Sequence, residues 1–238
     1  MPQFQITKTG SFHSRFQVKW RRRREGKTDY FSRRRLLYQD KRKYNSPKYR
    51  IVVRMTKRNI ICQFVQSRFQ GDHVLHVVYS KNLETFGIKV GKTSFSASFL
   101  IGFLLAKKVL KKIFFSGEKI RLEKKTPNAI LDIGLKRVTT GSKVFAVLCG
   151  VVDGGINIPH NEKRFPGYKS SKMFDPDLLN QRIKGTHIKE YMQFLKEEDN
   201  EKYQKHFSKI IQQKMENNGY PRTFDQVYKK IEILNIEN

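Results

Sequence analysis

Basic and aromatic side chains crowd the first quarter of this 238-residue chain. Arg21, Arg22, Arg23 and Arg24 form an unbroken run. Lys27 follows, then Arg33, Arg34 and Arg35, then Lys41, Arg42 and Lys43, with Phe16, Trp20, Tyr30, Phe31, Tyr38 and Tyr44 set among them. Cations at this density neutralise phosphates and release counterions, while flat rings and guanidinium planes stack on unpaired bases. The chemistry such a mixture supports is binding of structured RNA. A membrane surface would attract the same charge, but it would also need an apolar helix face, which this segment lacks. A solvated charged face or a nuclear-import address would use similar residues, and an import address can coexist with RNA binding.

The charge is unevenly placed. Residues 1–58 hold 19 of the 49 Lys+Arg and 3 of the 21 Asp+Glu, so 19 − 3 = +16 of the formal +28 lies there. A chain with this excess repels itself, and a polyanion is expected as a permanent partner. From Thr186 to Asn238 there are 9 Lys+Arg against 9 Asp+Glu, so this end is expected to pack on protein or to cap the domain.

Two further segments have the residue types for phosphate or base contact. In Thr139-Thr140-Gly141-Ser142-Lys143, hydroxyls and a glycine stand before a helix whose first N–H groups can hold a phosphate oxygen; simple N-capping competes with that reading. In Lys163-Arg164-Phe165-Pro166-Gly167-Tyr168, two cations and two rings sit on a loop. Pro166-Gly167 reverses the chain there, so Phe165 is expected to point into the core and Tyr168 outward.

Catalysis finds little support. Asp132 and Asp153 are each placed at the end of an element, where acceptors commonly fix turns. His73 and His76, three apart in a strand, are expected on opposite faces, which would prevent chelation of one ion. Val151-Val152-Asp153-Gly154-Gly155 lacks the Lys and Ser/Thr of a phosphate loop. No cofactor and no metal are expected, and the chain is not read as an enzyme.

What must position these residues is one α/β domain. From Tyr49 the pattern has period two, with Tyr49, Ile51, Val53 and Met55 on one face and Arg50, Val52 and Arg54 on the other. Strands are expected at Ile60–Gln66 and His73–Ser80, then a largely apolar helix over Ser94–Lys112 and a charged surface loop over Ser116–Pro127. A short strand at Asn128–Ile133 and a helix over Ser142–Asp153 complete a β-β-β-α-β-α order. Beyond Pro159 the chain reads as irregular, then as short amphipathic helices near Ile188–Leu195, Tyr203–Met215 and Phe224–Leu234. The 38% hydrophobic residues suffice for one core. Cys62 and Cys149 lack ligand spacing and read as core thiols of a protein in a reducing compartment. The longest apolar stretch, Phe95–Ala106, is too short to span a bilayer, and a soluble protein without a membrane partner is expected. The expected division is a basic extension over 1–47, an α/β core over 48–158 and a loop and helical extension over 159–238.

Three blocks, FQVKWRRRREGKTDYFSRRRLLYQDKRKYNSPKYRIVVRMTKRNIICQ, TTGSKVFAVLCGVVDGGINIPH and KRFPGY, lie in family order within Phe12–Phe207. Together they resemble the eukaryotic 5S rRNA-binding family of the large ribosomal subunit (universal large-subunit protein eighteen). The resemblance implies the small α/β domain shared by several translation components. It also implies binding of 5S rRNA, delivery with a second 5S-associated ribosomal protein, and a structural place in the central protuberance. Large-subunit rRNA, other large-subunit proteins and assembly factors would be neighbours, in cytoplasmic ribosomes after nuclear and nucleolar passage. By motif, the implied RNA contacts are Arg21–Arg24, Lys27, Arg33–Arg35, Lys41–Lys43, Lys48, Arg50, Arg54 and Arg58, beside the candidates Thr139, Thr140, Lys143, Lys163, Arg164 and Tyr168. The short 116–127 loop and the end at Ile231–Asn238 depart from the longer insertion and basic tail usual in the family. A nuclear RNA-binding adaptor outside the ribosome and a basic RNA-processing enzyme are the rival readings.

Overall fold

The basic N-terminal segment folds into short helices. The computed structural model describes residues 8–44, 46–115, 126–169, 173–213 and 219–233. Helices α1 (Gly10–Arg15), α2 (Arg21–Arg24) and α3 (Tyr30–Leu37) precede a single 3-10 turn at Lys41–Lys43. None of the three helices has a buried residue. The start of α3 is set by Asp29, whose carboxylate accepts from the Phe31 and Ser32 amides and so satisfies two otherwise orphaned donors.

The strands then follow the expected alternation. β1 (Lys48–Met55), β2 (Ile60–Arg68) and β3 (Gly71–Tyr79) form an antiparallel meander, and β4 (Ala129–Asp132) joins β1 in parallel, giving the order β3-β2-β1-β4. A parallel neighbour needs a crossover, and it is made by α4 (Phe95–Phe115). α5 (Lys143–Asp153) follows β4 and lies against α4. The β-β-β-α-β-α order is therefore present, with one addition: Ser80–Phe86 is a 3-10 segment that leads into the left-handed Gly87.

The inner sheet face and the helices share one apolar core. Tyr49, Ile51 and Val53 meet Ile60, Cys62, Phe64 and Val78 across the strands and pack against Leu100, Leu104, Val147 and Val151. Each large side chain buried there contributes about 1.5–3 kcal/mol. Glycine sets how closely α4 and α5 approach. A Cβ on Gly102 would stand 2.2 Å from the Val147 carbonyl oxygen, and one on Gly150 would stand 2.0 Å from that of Phe99. Any side chain at either position forces the helices apart. Cys62 is buried in this core, and burial pushes its thiol pKa up; Cys149 is half-buried and pushed up to about 11.

Four more helices close the far side: α6 (Pro176–Lys184), α7 (Thr186–Glu198), α8 (Asn200–Gln212) and α9 (Gly219–Ile233). α6 had no counterpart among the expected helices. α9 buries Tyr220, Phe224, Val227 and Ile231 at helical spacing. Tyr228 stacks on Phe103 with centroids 4.6 Å apart, and its hydroxyl donates to Asp153 at 3.0 Å. Most of the loop expected at Ser116–Pro127, and residues 234–238 of the departing C-terminal end, lie outside the described residues. No helix among the described residues is long and apolar enough to cross a membrane.

Candidate nucleic-acid interface

The outer sheet face carries the charge. Register places Lys48, Arg50, Val52 and Arg54 of β1 on that face, with Val65 and Ser67 of β2, Asp72 of β3 and Asp132 of β4. Arg50 is 3% exposed, Val52 7% and Val65 2%. An outer face this dry has a cover, and α3 is tied to it. Arg33 Nη2 donates to Asp72 Oδ2 at 2.6 Å, and Arg50 Nη2 donates to the same oxygen at 2.5 Å. Lys48 Nζ donates to the Arg35 carbonyl at 3.3 Å and to that of Tyr38, so a cation caps the negative end of the helix.

Arg50 thus has an internal task that alternation alone did not reveal. Besides Asp72 it meets Ser67 Oγ at 3.4 Å, and its Nε lies 3.7 Å from Asp132 Oδ2, an ion pair too long to be a hydrogen bond. Arg54 Nη2 donates to the other Asp132 oxygen at 2.9 Å, and its Nη1 donates to the Asp132 carbonyl at 3.0 Å. The two carboxylates therefore hold three arginines across the sheet. Burial would raise the Asp72 carboxyl pKa, but the hydrogen bonds from Arg33 and Arg50 outweigh it and keep the group below its ordinary value. Burial, then the charges of Lys43 and Arg50, lowers the Lys48 ammonium.

Arg21–Arg24, Lys27, Arg34, Arg35, Arg42 and Lys43 are exposed. Arg21 and Lys27 both pair with Glu25, at 2.9 and 2.8 Å, and Arg22 Nε donates to Thr28 Oγ1 at 2.9 Å. Arg24 Nε donates to the Lys19 carbonyl, and Arg35 lies over the Phe31 ring. Arg23 and Lys43 are exposed. The side chains of Arg34, Arg42 and Arg58 are exposed and have no hydrogen bond or ion pair among the described residues. Lys41 begins the 3-10 turn.

The two downstream candidate loops meet each other. The Gly141 amide donates to the Arg164 carbonyl at 3.0 Å, and Thr140 Oγ1 donates to the Lys163 carbonyl at 3.2 Å. Thr139, Lys143, Lys163 and Arg164 are exposed around this junction. Ser142 occupies the N-cap of α5 without a side-chain capping bond, so the capping reading of this loop finds no side chain to carry it. Phe165 is buried beside Phe174 and His160. Tyr168 is half-buried in a bridge with Phe174, less exposed than expected.

The other expectations resolve simply. Asp132 holds arginines and Asp153 accepts from Tyr228. His73 and His76 do share a face, contrary to expectation. An irregularity between Phe64 and Val65 leaves Leu75 without a partner, so His73 pairs with Gln66 and His76 with Phe64. Burial, then Lys108 and Lys112, lowers the His76 pKa, and no group of three or more metal-ligating side chains exists among the described residues.

Sequence reasoning missed the segment after β4. Gly134 turns there with φ +64, and a Cβ on it would stand 2.9 Å from the Arg54 guanidinium carbon. Leu135, Lys136 and Val138 follow, all exposed, and together with α2 and α3 they line a cleft of about 940 Å³. The available signal was Gly134-Leu135-Lys136-Arg137-Val138: a glycine, two cations and two apolar residues following a short, partly buried strand.

Residues 14–161 match the family model described as ribosomal large subunit proteins 60S L5 and 50S L18. The large ribosomal subunit protein uL18 of Dunaliella salina is 45% identical over 95% of this chain and 89% of its own length. That of Caenorhabditis elegans is 43% identical over 95% and 82%, and that of Suberites domuncula 42% over 97% and 84%. These relatives are named as large-subunit ribosomal proteins, which supports the ribosomal reading over the enzyme and the adaptor. The basic face described above belongs to a member of the ribosomal family that comprises the large-subunit 60S L5 and 50S L18 proteins.

Proposed function

We propose that this large-subunit protein binds 5S rRNA and anchors it in the central protuberance. The basic face carries the contact. The observation that carries the reading is the division of the sheet: apolar helices cover its inner face, while α2, α3, Arg54 and the 134–143 loop gather cations on and beside its outer face. In this arrangement Arg21–Arg24, Lys27, Arg34, Arg35, Lys41–Lys43 and Arg58 meet phosphates. Arg33, Lys48, Arg50 and Arg54 hold the helix and the sheet in the geometry the RNA requires. Thr139, Thr140, Lys143, Lys163, Arg164 and Tyr168 extend the contact to the loop junction.

The division into 1–47, 48–158 and 159–238 remains our functional partition, with the first segment as the RNA-facing one. Delivery together with a second 5S-associated ribosomal protein, contact with assembly factors and passage through the nucleus and nucleolus belong to the same proposal. The test is competition binding. The full chain is titrated with labelled 5S rRNA against an unrelated structured RNA of equal length. Preference for 5S rRNA that persists at high salt, with co-sedimentation on large subunits, supports the reading; equal affinity for both RNAs overturns it.

A further inference from the structure

The cleft between α3 and the 134–138 segment has the chemistry of a nucleotide pocket. Its volume, about 940 Å³, lies in the range of small-ligand sites. Cations line it from separate parts of the chain: Arg22 and Lys27 from the α2 region and Lys136 from the loop after β4. The carboxylates that line it, Asp29 and Asp132, are already engaged, one in capping α3 and the other in holding Arg54. Its free electrostatic character is therefore positive. Apolar surface lies beside that charge. Leu135 is 58% exposed and Val138 45%, and the Tyr30 ring, set edge-on to Trp20 at 4.6 Å, faces the same space.

Exposed apolar side chains stand beside Arg22 and Lys136, which have no carboxylate partner among the described residues, and beside Lys27, which shares Glu25 with Arg21; together they suit a ligand with a flat apolar part and an anionic part. A nucleotide is such a ligand. Bases inside a duplex cannot reach a recess of this kind, because stacking and pairing hold them within the helix. A free mononucleotide would leave the cations of α2, α3 and the Lys163-Arg164 loop unused, whereas a strand continues past the cleft in either direction. We infer that the cleft receives one unpaired nucleotide of the bound RNA, its base against Tyr30, Leu135 and Val138 and its phosphate on Arg22, Lys27 and Lys136. This rests on the RNA-binding reading and names where a single base is held within it.

The test fills the cleft without changing its charge. Val138→Phe and Leu135→Phe add a ring at exposed positions, so folding is expected to survive. The full-length variants are titrated with 5S rRNA beside the parent. The expected result is a loss of affinity of about tenfold with an unchanged dependence on salt, because stacking is lost and no phosphate contact is removed. Lys136→Gln is expected instead to flatten the log–log salt dependence by roughly 0.7–0.9. A photoreactive p-benzoylphenylalanine at Leu135 is expected to crosslink one nucleotide that is unpaired in the free RNA. Parental affinity in both filled variants, or crosslinks confined to paired nucleotides, overturns the inference while leaving RNA binding intact. A parent that shows no preference for 5S rRNA overturns the RNA-binding reading itself, and the cleft assignment with it.

Discussion

Two sets of helices flank the same sheet, and different forces hold them. α9 enters the core with Tyr220, Phe224, Val227 and Ile231, each no more than 3% exposed, and α7 adds Met192 and Leu195. The helices α1–α3 have no fully buried residue, Tyr30, Leu36 and Leu37 being only half-buried, and the polar ties of α3 run through Arg33, Asp72, Arg50 and Lys48. Burial of apolar area is not weakened by charge screening, whereas ion pairs near the surface weaken as salt rises. The C-terminal helices are thus fixed by the chain itself. The N-terminal helices are arranged by it, and their remaining charge is left for a polyanion to neutralise.

The largest effect should come from cutting into the first kind of attachment. Phe224→Ala removes a ring from the α9 interface and is expected to cost about 3–5 kcal/mol of folding stability in urea titration. RNA affinity measured well below the melting temperature should keep its salt dependence. A cost below about 1 kcal/mol would mean that α9 does not share the core, and the contrast between the two ends would fail.

Phe165→Ala tests the core anchor of the 163–168 loop. The ring is 6% exposed against Phe174, so about 3 kcal/mol is expected, near the lower end for a buried phenylalanine. Tyr168→Ala, at a half-buried ring, should cost less than half of that while lowering RNA affinity. Thermal melts and RNA titrations of the pair, run together, separate anchor from contact, and an RNA defect in Phe165→Ala without any loss of stability reverses the assignment.

Asp72→Asn should act next in size, and only on the N-terminal side. It weakens the hold on Arg33 and leaves Arg50, 4% exposed in its side chain, with the longer contact to Asp132. An incompletely satisfied buried donor costs about 1–3 kcal/mol. Trypsin should then cut around Arg33–Arg35 sooner than in the parent, whereas sites in α7–α9 should be unaffected. The sign with pH follows from the lowered carboxyl. Stability from Asp72 is present above its unfolded pKa, about 3.9, and is lost as pH falls through the folded value. Protection of α3, read in acid by pepsin in place of trypsin, should therefore fade below about pH 4 in the parent. It should show no such step in Asp72→Asn, and an identical acid profile in both proteins would remove Asp72 from the attachment.

How much of this was legible depended on the range of the interactions. Alternation in Tyr49–Met55 placed β1 and its faces, because strand period is a local property. The same alternation could not show that α3 folds back over Arg50, since α3 has no apolar stripe and is held by Asp72, far away in sequence. His73 and His76 were misplaced because a single irregularity at Leu75 restores the face that simple counting reverses. α6 was missed although its ends are marked, by Asp175 and Pro176 at the start and a left-handed Gly185 at the stop. The surrounding irregular sequence hid a short helix with few apolar residues. For the interface, composition identified the cations but not their division of labour. Arg34 and Arg50 are the same residue type in one basic segment, and only packing distinguishes the exposed cation from the buried strut.

The smallest expected effect on stability is also the sharpest test of the contrast. Arg21 and Arg24 lie on the one-turn helix α2, and their partners, Glu25 and the Lys19 carbonyl, are local and exposed. Surface substitutions of this kind usually change stability by less than about 0.5 kcal/mol, so Arg21→Gln with Arg24→Gln should melt like the parent. The RNA titration should behave differently. If each arginine neutralises one phosphate, the log–log salt slope should fall by roughly 0.7–0.9 per substitution, and the affinity deficit should shrink as salt is raised. Weaker binding at an unchanged slope would assign these arginines to stacking or base contact. A melting temperature lowered as much as in Phe224→Ala would show that α2 is held by the core after all, and the distinction between a region fixed by burial and a region arranged for its partner would no longer stand.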